Sequence, residues 1–123
     1  MHIVLIGIGG FVGAIGRYLV DGWISTLTRA TFPFGTMAVN VTGSLLAGLL
    51  FAVLVERGAL PADLRGPLLI GFVGAYTTFS TLALESWRLL EDGAWMLASL
   101  NLAGSVVLGL VALIGGIALG RSL

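Results

Sequence analysis

The chain has no cysteine and no lysine, one histidine, and only 10% charged residues among its 123. Each shortage excludes something. Without cysteine there is no disulfide and no thiolate metal site. Six arginines are offset by six acids, so there is no basic surface for nucleic acid, and none is expected as a partner. The lone histidine, His2, sits at the extreme N-terminus and reads as a bland terminal residue. No nucleophile–base pair and no cluster of metal-ligating side chains can be assembled, so the chain is not expected to be an enzyme. Soluble domains carry about 25% charged residues. The shortfall here points to a surface that meets a solvent other than water.

What is present fits a bilayer. Hydrophobic residues make up 58% of the chain. A membrane-crossing helix needs about 20 mainly apolar residues, and four stretches supply them, at about 3–27, 35–55, 67–90 and 94–119. The expected fold is an all-α membrane protein, one domain over 1–123 with four transmembrane helices and a break in the third. Short polar pieces separate the spans, and Pro33, Pro61 and Pro67 fall at or beside the boundaries, where proline suits a helix start. The stretch from Met1 to Val20 has no basic leader and reads as a retained first span.

The 19 glycines fall partly into small-xxx-small pairs: Gly9/Gly13, Gly10/Ala14, Ser44/Gly48, Ser105/Gly109 and Gly116/Gly120. In lipid such pairs let backbones approach closely, and they predict a tight bundle without saying what it carries. An even number of spans puts Arg57, Arg65 and Arg121 on one side, against Arg29 and Arg88 on the other. That bias is weak under the positive-inside rule. It suggests insertion in either orientation and an antiparallel, dual-topology dimer.

Polar groups inside spans are costly and usually functional. Arg17 lies within the first span, placed for an aqueous vestibule or for snorkelling to the headgroups. Thr36, Asn40 and Ser44 are four residues apart and share one face of the second span. The fourth carries Asn101 and Ser105, also on one face. The third carries Gly71-Phe72-Val73-Gly74-Ala75-Tyr76-Thr77-Thr78-Phe79-Ser80-Thr81 and then Glu85. A helix break and an unbroken glycine-rich helix both fit that run. A break at membrane depth is tolerated where the freed backbone lines a cavity or is buried in protein. Its carbonyls can coordinate a cation, and the following helix start favours an anion.

Three elements carry a resemblance. Gly9 to Tyr18 reads GGFVGAIGRY, Pro33 to Gly43 reads PFGTMAVNVTG, and Gly71 to Thr81 reads GFVGAYTTFST. In this order and across four spans, the sequence resembles the Fluc/CrcB family of fluoride channels over essentially its whole length. The resemblance implies a passive, fluoride-selective channel that exports fluoride and protects the cell from it. It also implies a multi-pass protein of the inner (plasma) membrane. Residues matching the family's pore are Asn40, Phe79, and Ser105 with Asn101 on the facing helix. Thr81 and Glu85 match a polar track, with Thr36, Ser80 and Leu82 read as part of the same route. Arg17 matches a vestibule arginine. Backbone carbonyls of Gly74 and Thr77 match those that hold a structural Na⁺ at the centre of an antiparallel dimer. A homodimer is expected, with pairing to a related chain left open. Leu82 stands where the family's motif usually has a second Phe, and Asn101 where Ser is more usual.

Two other readings compete. A four-helix multidrug-type transporter would want a carboxylate in its first span; here that span holds Arg17, and its only acid is Asp21 one turn further on. A purely structural subunit would need neither the Asn40 stripe nor the threonine-rich run.

Overall fold

In a bilayer every backbone polar group must find an internal partner, and helices do this within one segment. The computed structural model, which describes residues 1–123, has only helical elements joined by turns. Four helices are long and apolar enough to cross a membrane: His2–Thr28, Phe34–Glu56, Ala62–Glu91 and Trp95–Ser122.

Local chemistry sets most of the ends. Helix α1 (His2–Thr28) stops where Arg29 turns left-handed at φ 46° and gives its N–H to the Ser25 carbonyl. Helix α2 (Phe34–Leu50) follows Pro33 and continues as a π-wound tail, Phe51–Glu56. The third span opens with a 3₁₀ turn, Ala62–Leu64, and a π-wound stretch, Gly66–Val73, before one α turn, α3 (Gly74–Tyr76). Its first residues lie before the boundary that Pro67 marks in the sequence, because a short 3₁₀ turn precedes the π-wound stretch in whose first turn Pro67 stands. Thr77 (φ −80°, ψ 157°) and Thr78 (φ −149°, ψ 115°) are then extended. The chain re-enters a helix at α4 (Phe79–Glu91), where the Thr78 side chain caps the Thr81 N–H. Gly93, at φ 75°, turns the chain into α5 (Trp95–Ser122).

The spans pack as two parallel pairs. The third span runs alongside α1, and α5 alongside α2. Glycine makes both contacts possible. A Cβ at Gly13 would collide with the Phe72 carbonyl, and one at Gly48 or Gly116 with the Leu113 or Leu45 carbonyl across the α2–α5 seam. Backbone therefore lies on backbone, and dispersion contacts and lipid entropy, not burial from water, hold the seams.

The two ends of the bundle differ. At one end Arg121 makes a two-pronged pair with Glu56 (2.7 and 2.8 Å), Arg57 donates to the Gly120 carbonyl and Arg65 to the Leu54 carbonyl. Arg57 and Arg65 thus cover carbonyls near helix C-termini, where the dipole favours cations. The other end carries all three tryptophans, Trp23, Trp87 and Trp95, each more than half exposed. Trp suits the membrane–water interface. Between the ends the outer surface is apolar, and only 21 of 123 residues are buried within the single chain. The chain is solvated by lipid or by other protein, not by an aqueous shell.

Candidate functional site

The site is built where α2, α5 and the junction of α3 with α4 meet. A cavity of about 320 Å³ opens there, with Asn40, Thr77, Thr78, Phe79, Leu82 and Ser105 in its wall. Leu82 and Ser105 are 6% and 7% exposed, and the Ser105 hydroxyl has no partner. Phe79 is 81% exposed, so its ring stands at the mouth and faces away from its own chain.

Asn40 does not leave its amide free. Its Oδ1 accepts the Thr78 N–H (2.8 Å), and its Nδ2 donates to the Thr78 carbonyl (3.0 Å). One of its two N–H donors is thus engaged by backbone. Close approach at this point depends on Gly43, where a Cβ would collide with the Thr77 methyl. Beside it the hydroxyls of Thr42 and buried Tyr76 lie 2.9 Å apart. Ser44 returns its hydroxyl to the Asn40 carbonyl on its own helix (2.7 Å).

A second, smaller pocket of about 30 Å³ lies on the other side of Thr78, walled by Arg17, Asp21, Thr36 and Thr81. That is room for roughly one water. Arg17 donates from Nε to the Ala75 carbonyl (3.2 Å). The Thr78 hydroxyl lies 3.1 Å from that of Thr81 and 3.3 Å from that of exposed Ser80. Thr36 links this pocket to a third, because its hydroxyl donates to Glu85 Oε1 (2.8 Å). Glu85 borders an outer hollow of about 300 Å³ with Arg88, Asp92 and Thr31. Its Oε2 has no partner. A file of polar groups therefore runs from the Glu85 hollow, through Thr36 and Thr81, to Thr78 and on to the Ser105 cavity.

Not every sequence candidate joins that file. Asn101 is fully buried and gives Nδ2 to the Ser86 hydroxyl (3.0 Å), which in turn donates to the Leu82 carbonyl (2.7 Å). It sits one turn from Ser105 and is not part of the large cavity's wall. Ser86 is the residue that sequence reasoning missed. The available signal was its place four residues after Leu82, on the same buried face of α4. Gly74 is exposed on the chain's surface, and Thr77 is half-buried with its hydroxyl on the Val73 carbonyl (3.0 Å). The N–H that a continuous helix would give to the Gly74 carbonyl, that of Thr78, goes to Asn40 instead.

Similarity to other proteins covers this whole arrangement. The family model described as CrcB-like protein, Camphor Resistance (CrcB), matches residues 4–117. The chain is 46% identical over 123 residues to the "Fluoride-specific ion channel FluC" of Syntrophotalea carbinolica, covering 100% of both chains. It is 43% identical over 122 residues to the protein of that name from Maridesulfovibrio salexigens, covering 98% of this chain and 97% of the other. The like-named protein of Geobacter sulfurreducens is 44% identical over 121 residues, with 98% of each chain covered.

Proposed function

The chain belongs to the CrcB-like family, and on that premise we propose that it is a fluoride-specific ion channel, a multi-pass protein of the plasma membrane. It passes fluoride down its gradient, so that fluoride trapped in the cell leaves and the cell is spared its toxicity. The observation that carries this reading is the end-to-end match, at 46% identity over 123 residues, to a protein named for that activity. The family is one of channels, not of enzymes.

The chemistry of the site suits the ion. Fluoride is small and strongly hydrated, so a pathway must offer donors in place of water. The proposed route enters at the Glu85 hollow and follows Thr36, Thr81 and Ser80 past Arg17. It then reaches the cavity of Asn40, Phe79, Leu82 and Ser105. Hydroxyls donate without fixed charge. A Phe edge carries partial positive charge, so Phe79 faces an anion without holding it hard. Conduction requires binding weak enough to leave, which favours Arg17 at the approach and not in the narrowest part. Asn101 acts from behind, through Ser86, on the turn that presents Leu82. Purified protein in liposomes tests the function. Fluoride efflux is expected while chloride stays inside; equal loss of both ions overturns the reading.

The working unit is an antiparallel homodimer. Supporting this are the exposed Phe79 ring (81%) and the cavity in whose wall it stands. Both termini should be found on both sides of the membrane, and a uniform orientation in every chain removes the proposal.

A structural Na⁺ is proposed at the backbone carbonyls of Gly74 and Thr77. The residues fit: Gly74 is exposed, and the Thr78 N–H that would otherwise occupy its carbonyl is turned to Asn40. A hard cation suits carbonyl oxygen and offsets converging dipoles where two chains meet. Replacing Na⁺ by a bulky organic cation should weaken the dimer; unchanged association in its absence overturns the site.

A further inference from the structure

Extended residues inside a membrane span leave backbone groups that must find partners elsewhere. Around Thr77 and Thr78 three of those groups are taken up by side chains. A continuous helix would pair the Thr78 N–H with the Gly74 carbonyl and the Phe79 N–H with the Ala75 carbonyl. Instead the Thr78 N–H goes to Asn40 Oδ1 at 2.8 Å, and the Ala75 carbonyl accepts from Arg17 Nε at 3.2 Å. Asn40 also reaches the Thr78 carbonyl at 3.0 Å. Asn40 on α2 thus holds a residue of the gap itself, and Arg17 on α1 holds a carbonyl just before it that loses its helical partner.

The residue type is informative. An amide presents a donor and an acceptor in one plane, matching the two groups of a peptide. Ser or Thr would satisfy one of them, and a carboxylate would turn an acceptor on the Thr78 carbonyl. Gly43 allows the approach, since any Cβ there meets Thr77. Thr78 lies in the wall of both the 320 Å³ cavity and the Arg17 pocket. Whatever fixes its peptide fixes the partition between them.

We propose that Asn40 is a positioning residue, its amide splinting the Thr78 peptide while Arg17 braces Ala75, and that this splint sets the partition across which the ion passes. Asn40 then acts on the ion through Thr78, in addition to the one N–H it keeps free in the cavity wall. The proposal rests on the channel reading above, and the two fail differently. A wild-type protein that passes no fluoride ends the channel reading, whereas the splint is judged on variants alone.

The test replaces the Thr78 N–H by an ester oxygen, using the hydroxy-acid analogue of threonine at that position. This removes the bond to Asn40 Oδ1 and leaves the Asn40 side chain untouched. Fluoride efflux from liposomes is compared for wild type, Asn40→Ala, the ester, and the two combined. The splint predicts losses of about tenfold for Asn40→Ala and for the ester. It also predicts a combined variant no slower than Asn40→Ala alone, because both remove one interaction. An ester that conducts like wild type overturns the proposal, as do losses that multiply. Hydrogen exchange supplies a readout that needs no ester. The Thr78 N–H should be protected in the wild-type dimer and lose that protection selectively in Asn40→Ala. Free exchange at Thr78 in the wild type overturns the splint equally.

Discussion

Before residue 77 the third span meets α1 with backbone; after residue 78 it meets α2 and α5 with side chains. In the first half, Gly71 lies against the Ile6 carbonyl, and α1 returns the contact by placing Gly9 against the Pro67 carbonyl and Gly13 against that of Phe72. The second half touches α2 through Thr36 and Glu85, and α5 through Ser86 and Asn101. One span thus does two jobs. Its glycine half anchors, and its hydroxyl half carries the polar file. Neither could take the other's place: a Cβ ends the first kind of contact, and a missing oxygen ends the second.

That contrast makes the largest expected effect fall in the anchoring half. Gly13→Leu drives a side chain into the Phe72 carbonyl, at a cost of about 3 kcal/mol or more. Little monodisperse protein should survive extraction in detergent. Normal yield and thermal stability would mean that the α1 seam can shift. In the other half, Phe79→Ile should abolish fluoride efflux, because an aliphatic side chain offers the ion no partial positive edge. Folding of the single chain should be untouched, because Phe79 is 81% exposed. Loss of the fold together with flux would erase the distinction between the halves.

Smaller effects sharpen it. Ser86→Ala takes away the partner of a fully buried Asn101 amide, and a loss of about 1 kcal/mol is expected, since hydrogen bonds in membranes are modest. Reversible unfolding in mixed micelles measures it. No change would place Asn101 on another partner. The smallest change is expected from Leu82→Phe. Leu82 is buried, but it borders the 320 Å³ cavity, which can take the added ring and spare most of the usual overpacking cost of about 1–3 kcal/mol. Flux should stay equal or rise. A silent wild-type homodimer, rescued by this substitution or by a second chain, would instead assign the protein to a two-chain channel.

The four helices were legible because charge is scarce and falls between the apolar runs, as at Arg29, Glu56 to Arg65, and Glu91-Asp92. The start of the third was harder to read, since Pro67 looks like a first residue while the helical turns begin at Ala62. Asn40 and Ser105 stood out as polar residues in spans, and the structure brings them to one cavity. Asn101 stood out for the same reason and shares a helical face with Ser105. A four-residue spacing fixes direction only to within part of a turn, however, and Asn101 is drawn to Ser86. Periodicity also cannot say whom a side chain meets across a seam. The Asn40 amide on the Thr78 peptide, and the Arg17 guanidinium on Ala75, depend on how three helices come together.

The unlike ends of the bundle have a consequence for the pair. Alone, the chain is a vector, with three bonded guanidiniums at its tail and all its indoles at its head. In the antiparallel arrangement proposed above, two such vectors cancel. Each leaflet then receives one ring of tryptophans and one patch of arginines, and the assembled particle looks the same from either compartment. Turning it over changes nothing, so the insertion machinery has no wrong way to install it. A conduit with no built-in front or back cannot rectify by its shape, and the direction of flow is left to the ion gradient alone.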